Sequence, residues 1–441
     1  TAVGYQALKD TTVGNCTAVG YHALLSNTSG IDNVALGVKS LDANTSGHYN
    51  TGLGSWTLGA NTTADYNVAV GYNSMNLTTT GEKNTAVGSL SLDGNVDGDL
   101  NTAIGYLALS GANTGNENTG IGAGALQVNT SGIRNTAVGL SALAANTTGY
   151  DNVAIGRHAL VGNQTGYSNV AVGKHSLYVS TTANQNTAMG VAALYHNTTG
   201  VNNVGIGHNA IAYITTGSNN TGIGTRCLGA QGSANLTGSN NTASGYQALY
   251  KNTTGYSNVS IGSSTLVDNT TGYRNVAIGH NSLANNISGS DNIAIGHDTL
   301  VLSTVATSNV AVGKSALGAN TANNNTGVGT HALVNNTTGT RNTAVGAYTL
   351  DANTTGSYNT SLGYVSLGSN TTGAENVAIG DAALLSSTEG DKSVAVGKDT
   401  LRSVTTGQYN TAVGYAALYN TTGSYNTAVG YQAADANTTG S

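Results

Sequence analysis

Small and hydrophobic residues alternate over a five-residue string that recurs along the whole chain. The string reads Asn, Thr or Val, Ala, Val or Ile, Gly, and its closing glycine occurs 26 times from Gly4 to Gly430. Of the 25 intervals between these glycines, 21 are 17 residues, three are 16 and one is 21. Alternation with a period of two, carried by β-branched residues, predicts a strand. The sequence therefore predicts an all-β fold, a β-solenoid (β-roll) of 26 coils with a 17-residue repeat.

When the repeats are aligned on their glycines, each aligned position forms a column, and the columns differ in the residue types that occupy them. The asparagine column, four before the glycine, holds Asn in 23 of 25 cases, and the β-branched column, three before it, holds 15 Thr, 10 Val and one Ile. The small column, two before it, holds only Ala, Gly or Ser, and the aliphatic column directly precedes the glycine. The leucine column lies four after the glycine and usually leads into a turn such as Asn-Thr-Thr-Gly. Each coil is expected to hold about two short strands, with this turn taking left-handed backbone angles.

Alternation divides each predicted strand into two faces. The β-branched and aliphatic columns share one face, and we expect them to form the core together with the leucine column. None of the 14 basic and 20 acidic residues falls in these columns or in the small column on the opposite face. We expect the small face to lie against another chain, with three chains around one axis. The alternative is that small residues merely fit a tight coil.

The recurring asparagine stacks on itself from coil to coil in such a solenoid. Stacked amides can bond to each other along the stack, so the column predicts an internal asparagine ladder. Asn27 and Asn146 also begin Asn-x-Ser/Thr acceptor tripeptides, which leaves glycosylation as an alternative to turn chemistry at those turns.

Composition limits the core and the partners. The 441 residues include 62 Gly, no Pro and no Phe, and only 8% are charged, so any core must be thin. A net charge of −6 gives no basic field for nucleic acid. No apolar run approaches the roughly 20 residues of a membrane span, and we expect none in this segment. Because Thr1 begins inside a strand motif and Ser441 follows a turn, we expect a fragment of a longer chain.

One insertion interrupts the period. The sequence predicts a regular array over 1–224, an irregular coil with a four-residue insertion over 225–245, and a second regular array over 246–441, all within one continuous solenoid. The insertion is the candidate for a protruding loop, or else a tolerated insertion without function. The residues assigned to this loop are Arg226, Gln231 and Asn235.

The repeat strings carry a resemblance to known families. Asn84-Thr-Ala-Val-Gly88, Asn152-Val-Ala-Ile-Gly156 and the string 410–418 resemble the head repeats of trimeric autotransporter adhesins, and equally the repeats of phage tail-fibre proteins. The resemblance implies a trimer of β-rolls that displays an adhesive surface, or a trimeric fibre that reaches a host. Neither family implies catalysis by these repeats.

The two positions after the glycine vary freely and are expected to form an exposed ridge. Tyrosine recurs in the first of them, where its ring can pack on the apolar face of a sugar while nearby amides bond the hydroxyls. The alternative is that exposed tyrosine simply suits a strand. The tyrosines assigned to this binding ridge are Tyr5, Tyr21, Tyr72, Tyr106, Tyr246, Tyr364, Tyr415 and Tyr431.

Histidine also concentrates on the ridge. His280 and His297 share a column one coil apart, as do His158 and His175, which brings each pair within reach of one metal ion. No carboxylate cluster completes a ligand set, so no metal site and no cofactor is predicted. Nucleophile motifs and phosphate loops are also absent from the sequence, and no catalytic residue is assigned.

These observations favour a non-enzymatic structural fibre. The expected assembly is a homotrimer, extracellular on a virion or a cell surface, that binds surface glycans or a host receptor at many equivalent sites. An ice-binding solenoid is an alternative because regular threonine on a flat sheet can order water, and a structural subunit of an extracellular filament is another. An enzyme such as a glycan depolymerase with a site between chains has no residue pattern in its support.

Overall fold

The computed structural model describes residues 1–229 and 236–438. The chain divides into two compact units, Thr1–Asn219 and Asn220–Ser441. Both are parallel β-solenoids in which each coil contributes one strand, and the described residues contain no helix. None of the described segments is therefore a helix of the length and hydropathy that a bilayer crossing needs. The fold class predicted from the repeat is confirmed.

Every strand coincides with the recurring string. In the first unit the strands are β1 (Ala2–Val3), β2 (Thr17–Val19), β3 (Val34–Leu36), β4 (Thr51–Leu53), β5 (Val68–Val70), β6 (Thr85–Val87), β7 (Thr102–Ile104), β8 (Thr119–Ile121), β9 (Thr136–Val138), β10 (Val153–Ile155), β11 (Val170–Val172), β12 (Thr187–Met189) and β13 (Val204–Ile206). In the second unit they are β14 (Thr221–Ile223), β15 (Thr242–Ser244), β16 (Val259–Ile261), β17 (Val276–Ile278), β18 (Ile293–Ile295), β19 (Val310–Val312), β20 (Thr326–Val328), β21 (Thr343–Val345), β22 (Thr360–Leu362), β23 (Val377–Ile379), β24 (Val394–Val396), β25 (Thr411–Val413) and β26 (Thr427–Val429). Within each unit successive strands pair in parallel and in register, as Val153 does with Val170. Equivalent side chains therefore stack on one another from coil to coil.

The interior of a coil is lined by different columns from those predicted. Ala154 of the small column and Leu160 of the leucine column are fully buried, and so is Ala159, which directly precedes Leu160. Val153 is only half-buried and Ile155 is 41% exposed. The prediction that the leucine column fills the core is confirmed. The placement of the β-branched and aliphatic columns in that core is wrong, because both point outward.

The narrowness of the coil explains this reversal. Leucine fills the interior from the side opposite the strand and reaches the strand's inner face. A Cβ added at Gly205 of the small column would lie 3.1 Å from the Leu194 Cγ atom. Two facing rows of branched side chains do not fit that gap, so only Ala, Gly or Ser occupies the small column. The tight-coil alternative is confirmed, and the expected contact between the small face and another chain is wrong.

Left-handed residues turn the chain at the coil corners. His158, Leu160 and Ser168 have φ angles of 55°, 51° and 54°, and the corresponding positions of other coils repeat this pattern. The leucine segment is therefore a turn, and the predicted second strand of each coil is wrong. The Asn-Thr-Thr-Gly turn is not left-handed at its glycine either. Gly149 is needed for space, since a Cβ there would collide with Asn146 Oδ1.

Hydrogen bonds between coils offset the cost of these corners. A non-glycine residue in the left-handed region costs roughly 1–2 kcal/mol. The amide of His158 donates to the Leu140 carbonyl at 2.9 Å, and the amide of Leu160 donates to the Ser176 carbonyl at 2.9 Å. Each corner is thus held by the coil before or after it, which makes the stack cooperative between neighbours.

Two asparagine ladders run through the interior. In the predicted one, Asn135 Oδ1 accepts a hydrogen bond from the Asn152 amide at 3.1 Å, which confirms it. A second ladder is built by the first residue of the turns, where Asn146 Nδ2 donates to Asn129 Oδ1 at 2.8 Å. Asn27 and Asn146 are fully buried, so burial excludes the glycosylation alternative in the folded chain.

The second ladder is broken wherever a shorter residue replaces its asparagine. Asn163 Oδ1 and Ser180 Oγ are both buried without a hydrogen-bond partner among the described residues. Ser180→Asn is expected to rejoin the ladder by donating to Asn163 and accepting from Asn197. Two hydrogen bonds at about 1 kcal/mol each should raise the free energy of unfolding by about 1–2 kcal/mol, measured by chemical denaturation.

The exposed Thr165 provides the control for this prediction. Thr165→Asn adds the same amide side chain outside the ladder and should change the free energy of unfolding by less than about 0.5 kcal/mol. An equal gain in both variants, or a loss in Ser180→Asn, would contradict the ladder explanation.

Candidate functional site

The outer sheet face is formed by the first and third side chains of every strand. These are the β-branched and aliphatic columns, and they include the exposed Ile155, Met189 and Ile261. No charged residue occurs in either column, and the one polar residue of the aliphatic column is Ser244. The outer sheet face is therefore regular and uncharged within each unit, with one aliphatic column beside a column of Thr and Val.

The area of this face is comparable with the largest surface patches of soluble monomers. A three-residue strand is about 10 Å long and its neighbours lie about 4.8 Å away, so each strand presents roughly 50 Å². The 13 strands of one unit then present roughly 600 Å². The largest apolar patch on a typical monomer is about 300–600 Å². Threonine occupies part of this area, but a continuous uncharged face of this size in each unit indicates an interaction surface.

The structure exposes all eight tyrosines of the predicted binding ridge. Some of them stack on each other: Tyr5 and Tyr21 have ring centroids 5.5 Å apart and Tyr415 and Tyr431 have centroids 5.3 Å apart. Stacked rings cover one face of each other, which leaves less ring surface for a ligand. These four tyrosines are thus less suited to sugar packing than isolated ones.

Three ridge tyrosines keep both ring faces uncovered by other rings. Tyr72, Tyr106 and Tyr246 make no ring contact within 1–229 and 236–438. The neighbouring coils place small residues in the same column, such as Ser89 and Ala123 on either side of Tyr106. A ring between small neighbours can accept the apolar face of a pyranose. The eighth, Tyr364, meets Tyr348 edge-on at 6.3 Å.

An aromatic cluster in the first unit was not predicted from the sequence. Tyr178 and Tyr195 stack at 4.9 Å, and His196 stacks on Tyr213 at 5.3 Å. Three of these rings border a cleft of about 180 Å³, whose lining residues are Ala192, Tyr195, His196, Asn209, Ala212 and Tyr213. Tyrosine five positions after the glycine in two successive coils was the signal that could have found it.

The groups of this cleft are held in their uncharged forms. Desolvation by the surrounding residues lowers the pKa of His196. Desolvation, followed by the neighbouring Tyr178 and Tyr213, raises the pKa of the Tyr195 hydroxyl. A neutral imidazole and a neutral phenol beside Asn209 offer hydrogen bonds without charge. The cleft is therefore a second place where a sugar ring and its hydroxyls could be held.

The ridge histidines form two stacked pairs. His158 and His175 have ring centroids 5.5 Å apart, and His280 and His297 have centroids 5.1 Å apart. Beside the second pair, Asp298 completes a group whose ligand atoms all lie within 4.8 Å of one another. The sequence predicted no carboxylate cluster beside the histidines, and the structure places a single carboxylate, that of Asp298, beside this pair. Comparing columns from coil to coil overlooked the residue that follows His297 on the same coil.

The insertion leaves the strand ladder in register. Thr221 of β14 pairs with Thr242 of β15 despite the longer interval between them. Arg226 is half-buried in a left-handed conformation, like residues at the same position of other coils. The other two residues assigned to the loop, Gln231 and Asn235, lie outside the described residues.

Comparison with known proteins did not identify a relative of this chain. A search with models of known protein families found no match to this chain, and a search of curated protein sequences found none either. The resemblance to adhesin heads and tail fibres stays a prediction carried by the repeat strings.

Proposed function

We propose that this chain is a non-enzymatic structural fibre segment, in which three parallel copies join through their outer sheet faces. In this proposal the fibre projects from a virion or a cell surface and binds surface glycans through its ridge. The observation that carries the proposal is the outer sheet face, which stays uncharged over every coil and keeps an aliphatic column in all coils but the one with Ser244. A surface held to that composition is best explained by burial in an assembly.

Another copy of the same chain is the partner that this face suits best. Identical copies around an axis bring identical residues together, so any charged residue on the face would lie close to a residue of the same charge and be repelled by it. The outer sheet face has none. The face of one unit alone offers roughly 600 Å² per copy, compared with the roughly 800 Å² per partner of a stable interface. The number three comes from the resemblance to trimeric fibres.

The ridge would then remain exposed along the fibre and carry the adhesive contacts. Isolated tyrosines recur along the chain and the aromatic cleft adds one further point of contact, and three copies multiply them. Each contact with a sugar ring is weak, but many simultaneous contacts raise the overall affinity by orders of magnitude. This arrangement supports adhesion by multivalency more than recognition of one ligand in one deep pocket.

Sedimentation velocity of the full chain tests the assembly. We expect a species of about three times the 43.9 kDa chain mass at micromolar concentration. A stable monomer at that concentration would overturn the proposed fibre, and a dimer would overturn the number three.

The adhesive part is tested by substitution on the ridge. The triple variant Tyr72→Ala, Tyr106→Ala and Tyr246→Ala is expected to lose most of the retention of the wild-type fibre on a glycan array. The matched control replaces the mutually stacked Tyr5 and Tyr21, and should retain binding. Equal retention by all three proteins would show that tyrosine ring faces are not the contact.

Ice binding is a second candidate, favoured by one specific observation. The β-branched column points outward in the structure, with Thr at 15 of its 26 positions. An outward threonine column removes an objection to ice binding, since threonine in the core could not order water. The neighbouring aliphatic column holds no threonine and favours burial between copies instead. Thermal hysteresis at micromolar protein would support ice binding, and a trimer without hysteresis would exclude it.

A further inference from the structure

We infer that His280, His297 and Asp298 form a surface site for a borderline divalent cation such as Zn²⁺. Two imidazoles and one carboxylate are ligands that zinc accepts, and they leave a coordination position open for water. The site lies on the ridge and shares no residue with the outer sheet face, so it does not depend on the proposed function.

The distances suit a zinc ion after small side-chain rotations. Ligand atoms about 2.1 Å from a tetrahedral zinc ion lie roughly 3.4 Å from one another. His297 Nδ1 lies 2.8 Å from Asp298 Oδ2, and with His280 the whole set spans at most 4.8 Å. The side chains of His297 and Asp298 are 54% and 36% exposed, so they can rotate by this amount without disturbing the core.

The backbone holds the three residues in a fixed arrangement. The amide of Asp298 donates to the His280 carbonyl at 3.1 Å, and the amide of Ser315 donates to the His297 carbonyl at 2.9 Å. Asp298 also has the left-handed φ of 54° that recurs at this corner of the coil. Because the coil spacing is fixed, only side-chain freedom is lost on binding a metal.

Neighbouring charges distinguish this cluster from the other histidine pair. His158 and His175 stack in the same way, but Lys174 and Arg157 lie close enough to contribute, after desolvation, to lowering the pKa of His175. The same positive charges repel a divalent cation. Within the described coils, no carboxylate completes a ligand set with that pair as Asp298 does with His297. The pair is therefore a natural control within the same chain.

One cation also lies near the proposed site. Lys314 follows His297 in the same column, one coil further along. Its charge opposes metal binding across a partly screened distance of several ångströms. Removing it in Lys314→Ala is expected to tighten zinc binding by roughly threefold.

Calorimetric titration of the tag-free full chain with Zn²⁺ tests the inference. The wild type is expected to bind one equivalent at this site, and Asp298→Asn and His297→Ala should each weaken binding by roughly tenfold or more. The double control His158→Ala, His175→Ala should bind as the wild type does. Titration with Co²⁺ should give a visible absorption band in the wild type that Asp298→Asn removes.

Circular dichroism and sedimentation of each variant check that the coils and the assembly are unchanged, as expected for exposed side chains. Wild-type affinity in both Asp298→Asn and His297→Ala would overturn the site. Loss of binding in the His158/His175 control alone would overturn it as well, because the metal would then lie at the other pair. A failure of trimer formation would leave the zinc titration of the monomer as an independent result.

Discussion

Lysine on three neighbouring strands of the outer sheet face is expected to convert the fibre into folded monomers. The variant is Val138→Lys, Ile155→Lys and Val172→Lys, in the aliphatic columns of β9, β10 and β11. In a parallel trimer, symmetry brings three copies of each lysine to one uncharged interface with no acidic partner. Burying an unpaired charge costs several kcal/mol, and this variant buries it repeatedly. The mass from sedimentation velocity should fall to that of one chain.

The coils themselves should survive this substitution. The three positions point away from the core, and a change from a β-branched residue to lysine on an exposed strand costs at most about 1 kcal/mol each. Circular dichroism should therefore remain that of the wild type. A variant that unfolds would indicate instead that these side chains stabilise the single chain.

A matched variant places the same three charges on the ridge. Val38, Leu140 and Val191 are exposed ridge residues, 43%, 47% and 45% accessible. Val38→Lys, Leu140→Lys and Val191→Lys adds equal charge away from the outer sheet face and should leave the trimer intact. If the outer-face variant keeps the wild-type mass, or if both variants dissociate alike, the outer sheet face is not the interface.

The repeat predicted where strands form but not which way they face. Each described strand falls on the recurring string, since alternation and β-branching act within a few residues. Alternation assigns Ala154 and Ile155 to opposite faces without saying which is inside. That choice depends on the width of the coil, which is fixed by left-handed corners such as Leu160. Leucine has no preference for such angles, so its conformation could not be read from the sequence.

The candidate sites were also predictable only in part. Exposure of the ridge followed from its tolerance of charged and aromatic residues, and the structure places Tyr106 there as expected. The grouping of His297 with Asp298 depends on how one corner turns, and the cleft beside His196 depends on rings from successive coils. Features that repeat in every coil were therefore predictable, and features made once by particular neighbours were not.

Among substitutions that add a single methyl group, Gly to Ala in the glycine column is expected to reduce the free energy of unfolding most. Gly156 has a φ of 128°, which L side chains rarely adopt, and a Cβ there would lie 2.8 Å from the carbonyl carbon of Gly173. Backbone strain and a backbone clash therefore add in Gly156→Ala, because the next coil cannot move without breaking its own pairing. We expect a loss of about 3–5 kcal/mol in the free energy of unfolding.

A second glycine of the same unit lacks both the unusual φ and the backbone clash of Gly156, and serves as the control. Gly124 has a φ of 65°, and its nearest atoms to an added Cβ lie 3.4 Å and 3.5 Å away on side chains. Ala192 occupies the equivalent position of another coil, so Gly124→Ala should cost only about 1 kcal/mol. Because coils contact only their neighbours, hydrogen exchange should rise in the coils next to Gly156 before it rises elsewhere. Equal losses in the two variants would mean that neither the φ near 130° nor the approach of the next glycine explains why this column admits no side chain.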